Sequence, residues 1–203
     1  MRGYSLDVQT VSRTEEVGLS RMSLEDWVAL EDDTQGEFVD GWLVEEEVGS
    51  YLHELIVAAL IQRLRAWALS RGGSVVGSNL KFVLSAERGR KPDVSVFFPG
   101  RLPERDATVI RVPPDIAIEV VSPSPGDQRR DRVHKSAEYA AFGVHSFWLI
   151  DARSRTLEIF ELGVDGRYTR VSAATEGEID VPGCEGLRLD LTEIWAEVDS
   201  QMS

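Results

Sequence analysis

Between Ser50 and the Gly72-Gly73 pair, the apolar residues Leu52, Leu55, Ile56, Ala59, Leu60, Leu64 and Trp67 recur at helical spacing, so one stripe of a long helix must be buried against another layer. The segments that follow are strand-like, with Val, Ile and Phe concentrated in residues 74–84, 93–98 and 115–121. A long helix laid on strands is an α/β arrangement, and 203 residues suit a single domain. The longest unbroken apolar stretch, residues 55–61, is far shorter than the roughly 20 residues a bilayer span needs, so no membrane association is expected. No apolar run follows Arg2, which argues against a secretory leader. The single cysteine, Cys184, excludes an intrachain disulfide or a multi-cysteine zinc site. The cytoplasm is the expected compartment.

The net charge of -13 opposes nucleic-acid binding, which depends on Lys and Arg neutralising phosphates, but the charge is unevenly spread. Residues 1–50 hold 13 acids against 3 bases, and residues 174–203 hold 8 acids against 1 base. The remaining 14 acids and 18 bases leave residues 51–173 with +4. A mildly basic body between acidic ends keeps DNA open as a partner.

Residues 1–20 read as a flexible tail and 21–203 as one domain, made of a helix-and-hairpin extension (21–48), a core (50–173) and an acidic C-terminal segment (174–203). Ser23 with Asp26 resembles a capping box opening a short helix. Asp40-Gly41 between Phe38-Val39 and Trp42-Leu43-Val44 suits a tight hairpin. The basic, Pro-containing segment 99–114 reads as an exposed loop. A second helix is expected over 127–142, stopped by Gly143, then strands over 146–151, 156–162 and 167–172, with a turn at Val164-Asp165-Gly166. An acidic connection leads to a final helix over 191–198. The expected fold is a mixed central sheet flanked by helices.

The chemistry concentrates at two acids. Asp93 follows Pro92 into one strand, and Glu119 lies inside the next, in the string AIEVV. A carboxylate among buried strand residues is costly unless it is paired, protonated or bound to a cation. If the strands are neighbours, the two acids converge, and their repulsion favours a divalent cation with hard oxygen ligands, Mg²⁺ or Mn²⁺. On that reading, removing one acid relieves repulsion and leaves the fold no less stable. The plainer readings are that Pro-Asp merely starts a strand and that Glu119 forms a buried ion pair with a nearby arginine.

The segment after Glu119, SPSPGDQRRDRVHKSAEYAAFGV, turns the chain back over the sheet, with Asp127 as a helix cap. Arg130 and Arg132 are candidates for phosphate contact. Asp131 and Lys135 share one helix face, as do Lys135 and Tyr139; the plainer reading of that spacing is a surface salt bridge. The histidines, His53, His134 and His145, show no zinc-hydrolase spacing, and His53 reads as a helix residue packed near the hairpin. A serine-nucleophile elbow and a phosphate-binding P-loop are both missing. Trp148 in the run FWLI belongs to a buried strand, or stacks on a base if exposed.

The strings FVDGWLVEE, YLHELI, PDVSVF, IEVVSPS, DRVHKSAEY and GVHSFWLID together resemble the Uma-two-like restriction endonuclease family of the PD-(D/E)xK nuclease superfamily, over residues 36–168. The resemblance implies a restriction-endonuclease-like core in which Asp93 and Glu119 bind Mg²⁺, with Mn²⁺ able to substitute, beside a scissile DNA phosphate. The superfamily lysine would fall at Val121; the resemblance implies that Lys135 reaches the site instead. Glu54, on the first core helix, and Asp131 are additional site candidates. The implied activity is metal-dependent endonucleolytic hydrolysis of DNA, with a homodimer as the natural assembly for cutting two strands. The alternative is a catalytically inactive nuclease fold that binds nucleic acid or a protein partner.

Overall fold

The computed structural model describes residues 19–31, 36–44, 49–121 and 130–202, with the side chains of residues 19, 130 and 131 not among them. Among the described residues, two six-stranded sheets and a two-stranded ribbon are accompanied by four α-helices. The first described strand, β1 (Leu19–Arg21), pairs with β3 (Trp42–Val44); the expected tail over residues 1–20 lies almost wholly outside the described residues. Ser23 caps α1 (Leu24–Ala29) through a reciprocal capping box with Asp26. β2 (Glu37–Val39) and β3 form the expected hairpin, in which Asp40 and Gly41 take φ of 52° and 83°. Two successive positive φ angles are what a type I′ turn demands, and an Asp-Gly pair supplies them at little cost.

Helix α2 (Tyr51–Leu69) begins at Ser50, whose side chain accepts the His53 N–H, and it buries Ile56, Leu60 and Leu64. The run at 74–84 does not form one strand. Gly77, Ser78 and Asn79 favour a turn, and the chain crosses there from β4 (Ser74–Gly77) in one sheet to β5 (Lys81–Ser85) in the other. β6 (Arg88–Arg90) pairs with both β5 and β2, joining the hairpin into a sheet ordered β1-β3-β2-β6-β5-β8. The segment expected as a loop between 99 and 114 contributes β8 (Val109–Ile110), because Ile110 is buried against Phe82 and Phe97.

The other sheet carries the candidate site. Its centre is β7 (Val94–Phe97), β9 (Ile116–Val121) and β10 (Ser146–Asp151), every residue of which is buried. β7 runs antiparallel to β9, and β10 runs parallel to it. Strand alternation divides β9 between two cores. Ile116, Ile118 and Val120 face α2 and the C-terminal helix, while Ala117 and Val121 face Tyr139, Phe147 and Leu149. Glu119 belongs to the second face.

The chain returns through a π-helical turn at Arg130–Lys135 and α3 (Ser136–Phe142), which Gly143 ends. The expected helix start at Asp127 lies outside the described residues. β11 (Thr156–Leu162) and β12 (Tyr168–Ala174) complete this sheet. The acidic connection folds into a ribbon of β13 (Glu178–Asp180) and β14 (Arg188–Asp190), because Val181, Cys184, Leu187 and Leu189 turn inward. Helix α4 extends from Leu191 to Met202, beyond the expected end, and packs Ile194, Trp195 and Val198 into the α2 core. Among the described residues no helix is long and apolar enough to cross a membrane.

Candidate active site

Glu119 is 2 % exposed, and three elements compensate it. The sheet holds its backbone, the π-helical turn places Lys135 Nζ 3.0 Å from Oε2, and α3 directs the Tyr139 hydroxyl to Oε1 at 2.6 Å. Lys135 is thus an ion-pair partner of the buried acid. A π-helical turn widens the helix locally, and here Lys135 and Tyr139 both reach one carboxylate. Burial, and then the negative charge of Glu119, push the Tyr139 hydroxyl well above its ordinary pKa, so it remains a proton donor to that carboxylate.

Asp93 stands one position before β7. The antiparallel register pairs Val94 with Ile118 and Ser95 with Ala117, so Asp93 lies at the C-terminal half of β9. The Val120 N–H donates to Asp93 Oδ2 at 2.7 Å, and His53 Nε2 lies 3.3 Å from the same oxygen. His53 therefore lies against the start of β7. Its other ring nitrogen is 3.2 Å from Glu54 Oε1, so Glu54, itself largely exposed, connects to the site through His53. Burial works against charge on His53, but Asp93 and Glu54 outweigh it and raise the imidazole pKa.

Two residues not singled out in the sequence complete the buried polar cluster. Glu37, 1 % exposed, places Oε1 3.4 Å from Lys135 Nζ and accepts the Arg90 guanidinium at 2.6 Å on Oε2. Arg90 turns its remaining N–H groups onto both oxygens of Glu138. Arg88 also binds Glu138, at 2.9 Å, and reaches Asp40 at the hairpin turn. Burial alone would weaken the charge on Arg90, but Glu37 and Glu138 more than offset it and raise its pKa.

Val121 is buried among Ala117, Tyr139 and Leu149, and offers no charge at the position where the superfamily lysine would fall. Arg132 lies against the sheet, paired with Glu158 and with Asp151 at 3.3 Å. The side chains of Arg130 and Asp131 lie outside the described residues. Trp148 is fully buried, with its ring N–H on the Ser146 hydroxyl, which removes it as a base-stacking surface. Among the described residues no group of three or more His, Cys, Asp or Glu side chains is arranged to hold a metal ion. The donor chemistry nonetheless suits a hard cation. Asp93 and Glu119 are both carboxylates, and Asp93 Oδ1 accepts no hydrogen bond among the described residues.

A mixed sheet flanked by helices, with Glu119 buried on β9 beneath the turn that supplies Lys135 and with Asp93 at the entry to the neighbouring antiparallel strand, is of the restriction-endonuclease-like class of α/β folds. The Uma2 family model, described as "putative restriction endonuclease", matches residues 23–192, and the chain belongs to that family. The fold is similar to the crystal structure of a putative nuclease belonging to DUF820 from Anabaena variabilis ATCC 29413. The TM-score is 0.70 at 19 % identity, covering 87 % of this chain and 99 % of that one. A comparison with curated proteins found no match.

Proposed function

We propose that the protein is a metal-dependent endonuclease that hydrolyses phosphodiester bonds in DNA. What supports this reading is the buried Lys135–Glu119 pair on β9, with Asp93 held on the Val120 N–H of the same strand. Asp93 and Glu119 would hold Mg²⁺ or Mn²⁺, which when bound lowers the pKa of a water and neutralises charge on phosphate. The Val120 N–H and His53 fix the Asp93 carboxylate, and Tyr139 fixes that of Glu119. Lys135 supplies the positive charge that the usual lysine position, here Val121, does not, and its role is electrostatic stabilisation at the phosphate. Glu54 acts on Asp93 through His53. A homodimer would present one site to each strand.

The test is cleavage of supercoiled and linear DNA with Mg²⁺ or Mn²⁺ by the wild type, Asp93→Ala and Glu119→Ala, with single-stranded RNA as a second substrate. The expected result is cation-dependent DNA cutting that falls by about 10²-fold or more in both variants. The second reading, an inactive nuclease fold that binds nucleic acid or a protein partner, draws on Val121 and on the engagement of both Glu119 oxygens by protein groups. DNA binding by a folded wild type without cutting under any of these conditions would favour it.

A further inference from the structure

Two arginines flank β11 and are built alike. Arg153 lies in the turn that leads into this strand, and Arg167 in the turn that leads out of it. Both are exposed, and each donates its backbone N–H to the aspartate two residues earlier, to Asp151 Oδ1 at 3.0 Å and to Asp165 Oδ1 at 3.2 Å. Neither guanidinium is paired among the described residues. What separates the two is position. β10 runs parallel to β9 with Asp151 opposite Val121, and the Val120 N–H holds Asp93, so Arg153 belongs to the sheet end that carries the candidate site. β11 runs antiparallel to β10, and its last residue, Leu162, pairs with Tyr168. Arg167 is therefore at the opposite end, a strand length of roughly 20 Å away.

The Arg153 turn is held from two sides. Asp151 Oδ1 also accepts the Ser154 N–H at 3.1 Å, and Oδ2 takes Arg132 from the turn that bears Lys135. Arg155, at φ 53°, is tied to Asp199 on α4 at 2.8 Å. Arg132, a candidate for phosphate contact in the sequence, is thus engaged by Asp151 and Glu158, and Arg155 by the C-terminal helix, while Arg153 stands between them in solvent on a fixed backbone. The turn and Asp93 are two strand spacings apart, about 10 Å across the sheet. Duplex DNA carries one phosphate charge for about every 1.7 Å of its axis, so a duplex seated over Asp93 offers phosphates at that separation. We propose that Arg153 contacts the DNA backbone beside the candidate site and that the β10–β11 turn thereby positions the duplex. The inference rests on the nuclease reading, and it predicts an asymmetry: Arg167, the same chemistry at the far end of β11, makes no such contact.

The experiment is fluorescence anisotropy of a labelled DNA duplex across a salt series, in chelator so that no cutting intrudes. Arg153→Ala should lower affinity about 5- to 10-fold at about 0.1 M salt and reduce the slope of log K against log salt by about 0.9, the signature of one lost phosphate contact. Arg153→Lys keeps the charge and should keep the slope, and Arg167→Ala should match the wild type in both quantities. Thermal melts of all three variants should coincide with the wild type, because exposed side chains without a partner contribute little to stability. A wild-type slope in Arg153→Ala, or the same loss in Arg167→Ala, overturns the proposal, and the nuclease reading stands if the wild type still cuts DNA with Mg²⁺. A wild type that binds DNA without cutting it overturns the nuclease reading, while the two slopes still decide on Arg153. A wild type that neither binds nor cuts DNA overturns both.

Discussion

Lys135 and Glu119 meet at 3.0 Å with each side chain only 3 % exposed, so removing either charge takes a buried partner from the other. The mutual repulsion expected of two neighbouring acids is therefore not what dominates the energetics of Glu119 in this structure. Breaking a buried pair by removing one partner costs about 3–5 kcal/mol. Lys135→Met should lower stability by that amount in urea unfolding, and adding Glu119→Leu to it should recover much of the loss, because an apolar pair can replace a buried ion pair. A double variant as unstable as the two single effects added together would show that the charges are not coupled.

Legibility in the sequence followed the range of the interactions. Helix α2 and the Asp40-Gly41 hairpin are set by local chemistry, a serine cap with an apolar stripe in one case and a turn that needs positive φ in the other. Glu119 stood out because an acid among Ile118, Val120 and Val121 requires an explanation. The same argument applies to Glu37 beside Phe38-Val39, but a three-residue strand gives too little periodicity to announce burial. Its partner Arg90 lies 53 residues away, in the string ERGRKPD, which looks like an exposed turn. Likewise nothing local in residues 74–84 reveals that the chain changes sheets at Ser78-Asn79. The acidic C-terminal connection hid its ribbon because the charges dominate the composition while Val181, Leu187 and Leu189 do the packing.

Val121 gives a second expectation, on whether the lysine has moved in function as well as in sequence. Strand alternation puts Val121 on the same face as Glu119, among Ala117, Tyr139 and Leu149. Glu119 already has Lys135, so Val121→Lys alone should bury a second cation and destabilise the fold by several kcal/mol. Val121→Lys/Lys135→Met transfers the charge to the other position. If the two positions are interchangeable, this double variant should be more stable than Val121→Lys and should cut DNA faster than Lys135→Met. Melting temperatures and cleavage rates on one DNA substrate decide this, and a double variant no better than either parent would show that only the helix position serves.

Arg132 links the Lys135-bearing turn to the sheet, and that link has a pH signature. Asp151, opposite Val121 in the parallel register, and Glu158 on the next strand both pair with Arg132. Burial alone would raise the two carboxyl pKa values. For Asp151 the N–H groups of Ser154 and Arg153, together with Arg132, outweigh it; for Glu158, Arg132 and Arg170 do. Both acids end below their ordinary values of 3.8 and 4.5. A carboxyl with a depressed folded pKa contributes stability that is complete above its unfolded pKa and is lost as pH falls through the folded one. The contribution of this pair is therefore present at neutral pH and fades below about pH 4. Arg132 is about a third exposed, so Arg132→Met should cost no more than about 1 kcal/mol at pH 7. Urea midpoints measured from pH 7 down to pH 2 should show the wild type and Arg132→Met converging as the acids protonate. Parallel curves across that range would mean that Arg132 holds the turn through the packing of its stem, with no contribution from its charge.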